Sequence, residues 1–379
     1  MRNRISKINR QLWQTFLLYA TGGNLVILSA AIALLLANSA EGETFVHFWH
    51  SSVADFTIEW FVNDVLMVFF FLLVGLEIKR EIVAGALSDR KAAVLPVVAA
   101  LGGMVVPALL FTLFNFHQPT LSGWAIPMAT DIAFALAILN LVKRYIPNNA
   151  FILLSTLAVA DDLGAVLVIA LFYTAELNVI ALAAVAGIYA LLLLYNKMGK
   201  KNELVYVLLG IALWFAVWQS GVHATIAGVM LAFAIPFSEE ASSPFQKLMH
   251  GLEKPVNYFV LPVFALCNTA IVIEAEYLQN IASPLALGIL SGLVLGKVSG
   301  IFSFSWIAVK MGWANLPDKL YWRHVFGLGL LGGVGFTMSV FVTMLSFGDV
   351  ALVAQAKLYI VIGSCVSAVL GLVWLRLAK

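Results

Sequence analysis

Apolar runs about twenty residues long, parted by short polar stretches, recur from one end of the sequence to the other. At 1.5 Å per residue each run crosses a bilayer core of ~30 Å as a single helix. Twelve can be counted, at approximately 13–37, 58–78, 92–114, 121–142, 150–172, 178–196, 204–220, 222–236, 256–273, 286–309, 324–346 and 355–376. The pattern predicts an all-α polytopic membrane protein with short loops, one integral membrane domain over 1–379 and no room for a separate soluble domain. Composition agrees: 62% of residues are hydrophobic and 11% charged, which excludes an ordinary soluble chain of this length. The polar start, Met1 to Lys7, feeds a full-length apolar span, so no cleavable signal is expected.

An even number of spans puts both chain ends on one side. Of the 22 Lys and Arg, 20 fall on that side: Arg2, Arg4, Lys7 and Arg10; Lys79, Arg80, Arg90 and Lys91; Lys143 and Arg144; Lys197, Lys200 and Lys201; Lys247 and Lys254; Lys310, Lys319 and Arg323; Arg376 and Lys379. The positive-inside rule makes that side, and both termini, cytoplasmic. The exceptions are Lys357, at the outer end of the last span, and Lys297.

Three polar anomalies lie inside apolar runs. The first is Asp161-Asp162, within 151–172. A carboxylate at mid-membrane costs roughly 2.5–3.5 kcal/mol even on lenient scales, and such a group marks function by default. Adjacent helical residues point about 100° apart. The two acids could therefore face one cavity from two sides, or one could face a partner helix and the other water. The second anomaly is Lys297, near the middle of its span and about three turns from either end, too deep to reach an interface along its own stem. A buried lysine needs a carboxylate, and the membrane offers Asp64, Asp131, Asp161 and Asp162, with Glu77 near a span end. The third is a break in span four at Pro127, beside Thr130 and Asp131, matched by Gly332-Gly333-Val334-Gly335 in span eleven.

Interrupted spans at corresponding places in two halves point to a transporter site. Spans three to five and ten to twelve form trios with the broken member central, and topology inverts one trio relative to the other. The expected organisation is a core of helices at about 92–172 and 286–376 against an interface set at about 13–78 and 178–273.

Other polar features are weaker. His223 could titrate near neutrality, although a lone histidine is more often a packed one. The string Leu72 to Glu81, which contains Glu77, and the loop with His250, Glu253 and Lys254 each read either as solvated ends or as an ion-entry or pH-responsive patch. Cys267 and Cys365 both fall in spans, which supports neither a disulfide framework nor a metal cluster. No phosphate-binding loop, basic–aromatic patch or catalytic constellation is present, so nucleic acid, enzymatic chemistry and a resident cofactor are not expected.

The strings Phe71-Leu72-Leu73-Val74-Gly75-Leu76-Glu77, Ala129-Thr130-Asp131-Ile132-Ala133-Phe134-Ala135-Leu136, Asp161-Asp162-Leu163-Gly164-Ala165, Gly221-Val222-His223-Ala224-Thr225 and Gly333-Val334-Gly335-Phe336-Thr337-Met338-Ser339 resemble the NhaA family of bacterial Na⁺/H⁺ antiporters, over nearly the full length. The resemblance implies Asp162 as the principal ion carboxylate, with Na⁺ at Asp161 and Asp162, and Asp161 exchanging protons and pairing with Lys297. It implies Thr130 and Asp131 at a crossing of broken helices, Asp131 offsetting the helix-end dipoles. Glu77, His223, His250 and Glu253 would fall in regions tied to pH response. A bacterial inner membrane and a homodimer are implied too. Two departures qualify this. The loop from Ala40 to Glu59 is shorter than in the best-known member, where it forms a dimerising β-hairpin, so the hairpin does not carry over. Met249 stands where the family pattern has an acidic pH-sensing residue, with Glu253 one turn on.

The physical reading and the resemblance meet in one function. A buried carboxylate can hold a proton or Na⁺ but not both, and exposing it to the two faces in turn suffices for exchange. The expected activity is secondary antiport of cytoplasmic Na⁺, or Li⁺, for external H⁺, electrogenic and pH-regulated, serving sodium and pH homeostasis. The alternative is a cation channel, or a carrier for another small cation or solute.

Overall fold

The computed structural model describes residues 21–53, 55–174 and 177–378. Arg2, Arg4, Lys7, Arg10, the first part (13–20) of the first expected span and Lys379 lie outside the described residues. Short polar residues in the loops start the helices. Asp89 caps α4 (Arg90–Asn115), Asn178 caps α8 (Val179–Lys197) and Asp349 caps α15 (Val350–Leu377), each carboxylate or amide oxygen accepting from a first-turn N–H. These three, with α3 (Ile58–Val83), α7 (Asn148–Phe172) and α12 (Pro284–Lys310), are the six described helices long and apolar enough to cross a membrane alone.

Three further spans are bent pairs. α5 (Pro119–Met128) meets α6 (Ile132–Leu141) at 46°, and α13 (Trp322–Gly332) meets α14 (Phe336–Ser346) at 45°. These are the two expected breaks. The third pair, α1 (Thr21–Ala37) and α2 (Gly42–His50), bends by 116°, which turns α2 out of line with its span. At the expected spans 204–220, 222–236 and 256–273 stand α9 (Glu203–Gln219), the nine-residue α10 (Ile226–Ala234) and α11 (244–268). None of them is long and apolar enough to count with the others, so nine of the twelve expected spans qualify among the described residues. α11 starts earlier than expected, because the polar stretch before Pro255 stays helical and joins the apolar part through a π turn, Val256–Val260. A hairpin also forms in the shortened loop: β1 (Ser52–Val53) pairs antiparallel with β2 (Phe56–Thr57), two residues a strand.

α4, α7, α12 and α15 pack around the broken pairs, α12 most extensively on α4. That approach depends on small residues. A Cβ on Gly102 would strike the Gly300 carbonyl oxygen and one on Gly300 the Gly102 oxygen, so backbones meet where side chains otherwise would. α8 and α9 sit at the margin, with Val179, Ile180 and Leu208 exposed to the surroundings as lipid-facing residues are.

Candidate functional site

The two breaks lie against each other, and Asp131 joins them. One carboxylate oxygen accepts from the Phe134 N–H at 2.9 Å, which caps α6; the other accepts from the Thr337 N–H at 3.1 Å and its Oγ1 at 2.6 Å, in the first turn of α14. One buried carboxylate thus faces two helix N-termini, each carrying about half a positive charge. The uncapped carbonyls beside them are also met. The Asp131 N–H donates to the Val334 oxygen at 2.7 Å, and the Thr130 hydroxyl to the Gly332 oxygen at 2.8 Å. Farther along, Ser339 Oγ donates to the Ile126 oxygen at 2.7 Å. Gly333 and Gly335 sit where the break is crowded: an added Cβ would strike the Leu293 oxygen of α12 at Gly333 and the Ser339 hydroxyl at Gly335, with the Ala129 oxygen of the other break 3.1 Å away.

Replacing Asp131 with Ala should therefore loosen both half-helices at once. Each hydrogen bond to a charged group is worth about 1.5–3 kcal/mol. The melting temperature in detergent should fall by more than for Thr337→Val, which removes one of the three. Equal melting temperatures for wild type and Asp131→Ala would show that the crossing holds without its carboxylate.

Asp161 and Asp162 stand on α7, both buried. Lys297, fully buried, donates to Asp161 Oδ2 at 2.7 Å. It emerges from α12 directly after a π turn, Gly292–Gly296, a local irregularity that recurs at functional sites. The second Asp161 oxygen, Oδ1, is buried with no partner among the described residues. Asp162 makes no hydrogen bond among them, yet lies within electrostatic reach of Asp161, Asp131, Glu77 and Lys297. Four carboxylates and a lysine thus share one buried neighbourhood beside a crossing of helix ends.

The other expected residues fall in three places. Glu77 is buried, 4% exposed, and so is Glu81, which accepts from the Ala86 N–H at 2.9 Å; their string is no solvated end. Its Lys79 turns inward and donates to the Phe233 oxygen at 2.7 Å and to the Ile235 oxygen, closing the C-terminus of α10. His223 is apart from the acid pair. It lines a cavity of about 560 Å³ on the face opposite the basic loops, together with Glu59, Asp64, Glu274, Phe341 and Lys357. Its ring centroid is 5.7 Å from that of Phe341, and its Nδ1 is buried without a partner among the described residues. His250 and Glu253 pair at 3.5 Å on α11, with His250 exposed. Met249, beside them, is buried at 2% as a packing residue.

Two functional features are faint in the sequence. Thr337 is there only part of a glycine-rich break, though a hydroxyl one residue into a restarted helix is the kind of donor an opposing carboxylate takes. Lys357 is marked there only as a cation on the wrong side. It is buried, reaches Glu59 at 3.7 Å and donates to Asn268 Oδ1 at 3.1 Å; Asn268 in turn donates to Asn63 at 2.8 Å. No group of three or more His, Cys, Asp or Glu is placed to hold a metal ion among the described residues. What the site offers a hard cation is carboxylate oxygen beside exposed helix ends.

Residues 14–375 match the family described as Na⁺/H⁺ antiporter 1. The chain is 46% identical to a Na⁺/H⁺ antiporter NhaA of Dechloromonas aromatica over 99% of its own length and 98% of that protein. It is 46% identical to one of Cytophaga hutchinsonii over 94% and 92%, and 45% identical to one of Vibrio cholerae over 96% of each. The fold resembles the sodium proton antiporter MjNhaP1 of Methanocaldococcus jannaschii, with a TM-score of 0.54 at 14% identity, covering 99% of this chain and 98% of that one.

Proposed function

The chain belongs to the Na⁺/H⁺ antiporter 1 family, and from that premise we propose that its exchange of Na⁺ for H⁺ runs through the buried acid pair, with Asp162 as the principal Na⁺ carboxylate. One observation carries this: Asp161 spends one oxygen on Lys297 and keeps the other buried and unpartnered, next to a second buried carboxylate. An ionised acid pair beside one lysine carries an excess of one negative charge, which a Na⁺ or a proton can neutralise. Na⁺ entering between Asp161 and Asp162 competes with Lys297 for Asp161 as well as with the proton. The Thr130 and Asp131 crossing would supply carbonyl and dipole support, with Asp131 holding the two helix N-termini.

In this reading the basic face, with both termini, is cytoplasmic in a bacterial inner membrane, and the site opens to the two faces alternately. The core helices at about 92–172 and 286–376 move against the set at about 13–78 and 178–273. The cycle is electrogenic. Everted vesicles carrying a ΔpH dye test the reading: Na⁺ and Li⁺ should each dequench it, and an imposed membrane voltage should change the rate. Dequenching by K⁺ alone, or a current that needs no proton gradient, would favour the channel alternative.

The pH response follows from competition. Protons displace Na⁺ from the pair, so apparent Na⁺ affinity weakens as pH falls through the pair's apparent pKa. A separate sensor at Glu77, His223 or the His250–Glu253 pair would instead change the maximal rate. His223 packs on Phe341 in the opposite cavity, away from the pair. His223→Ala is therefore expected to move the pH profile less than Asp161→Asn and to leave transport intact. Loss of exchange in His223→Ala at saturating Na⁺ and every pH would put the histidine in the mechanism.

A further inference from the structure

On the basic face, α6 ends at Leu141 and α15 at Leu377, and the two helices touch. Near their ends lies a cavity of about 490 Å³ lined by Asn140, Lys143, Arg144, Tyr145, Leu372 and Arg376 among others. No acidic side chain lines it. None of its three cations forms an ion pair among the described residues. The helices answer part of that charge, since each C-terminus carries about half a negative charge. Two termini offset about one of the three positive charges. The rest is gathered on one concavity, where all three cations remain exposed. Apolar surface adjoins it: Leu141, in the lining, and Val373 and Leu377, next in the chain to the lining residues Leu372 and Arg376, are 66%, 47% and 78% exposed. A ligand suited to both must be anionic at one end and oily at the other.

We propose that this cavity binds the phosphodiester headgroup of an anionic phospholipid. The guanidinium forks of Arg144 and Arg376 match phosphate oxygens, Lys143 adds a point charge, and the acyl chains lie along Leu141 and Val373. The bound lipid ties the lower half of a broken span, α6, to the last helix. A free phosphate shares the headgroup's chemistry but would leave the adjoining apolar surface unused.

The test uses the full chain purified in detergent. Lipid retention is measured by native mass spectrometry and thermal stability is followed on adding phosphatidylglycerol, phosphatidylcholine or inorganic phosphate. Phosphatidylglycerol should be retained and stabilising, and phosphatidylcholine and inorganic phosphate much less so. In the double variant Arg144→Gln/Arg376→Gln, phosphatidylglycerol retention should fall about tenfold. Arg90→Gln/Lys91→Gln, on another basic loop, should leave it unchanged. Should the double variant fail to fold, Arg376→Gln alone, in the last turn of α15, should lower retention several-fold. Retention unchanged in the cavity variants, an equal fall in Arg90→Gln/Lys91→Gln, or equal stabilisation by inorganic phosphate would each overturn the assignment.

Discussion

Replacing Asp162 with Asn is expected to abolish Na⁺-driven proton movement while leaving the protein folded and inserted. The amide keeps the volume of the carboxyl, and Asp162 is not tied into the hydrogen-bonded crossing, so the fold loses little. What goes is the charge. A Na⁺ stripped of water in a site of low dielectric needs a full negative charge close by, and a carboxamide dipole does not replace it. Exchange should fall to the background of vesicles without the protein, at every pH and up to saturating Na⁺. Near-normal exchange by a folded Asp162→Asn protein would remove this residue from the site.

Losing Lys297 should cost the fold several kcal/mol. Its ammonium and the Asp161 carboxylate meet at 2.7 Å with 0% and 1% exposure. Removing one partner of such a pair strands the other charge and costs about 3–5 kcal/mol, unless that charge is neutralised by a proton. Lys297→Ala should therefore melt well below wild type in detergent. The double variant with Asp161→Asn should recover part of the loss, since no charge is then left unmatched. A double-variant loss equal to the sum of the two single losses would argue that the pair contributes no coupling energy.

These residues were legible because a membrane makes exceptions conspicuous. Asp161, Asp162 and Lys297 interrupt apolar runs in which every charge is expensive, and Pro127 with the 332–335 glycines interrupts helices that lipid otherwise forces to be continuous. The breaks appear where those residues stand, at 46° and 45°. Legibility fails where the solvent is not the constraint. Glu77 reads as a solvated end because Lys79, Arg80 and Glu81 follow it, yet Lys79 is turned inward by the open carbonyls of α10, 154 residues on at Phe233, and Glu77 and Glu81 are buried. Lys357 belongs to a set with Glu59, Asn63 and Asn268 from three distant spans, a grouping no local pattern announces. The short ladder at 52–57 has no signal in the loop's length, since two residues a strand need very little chain.

The central claim is that one buried acid pair holds either protons or Na⁺. Protons released from the purified protein into weakly buffered detergent solution on adding Na⁺, measured for wild type and for Asp162→Asn, test it most directly. The account predicts release from wild type that saturates with Na⁺ and needs more Na⁺ to reach half its extent at lower pH, and no release from Asp162→Asn. Release of the same size from both proteins would contradict it.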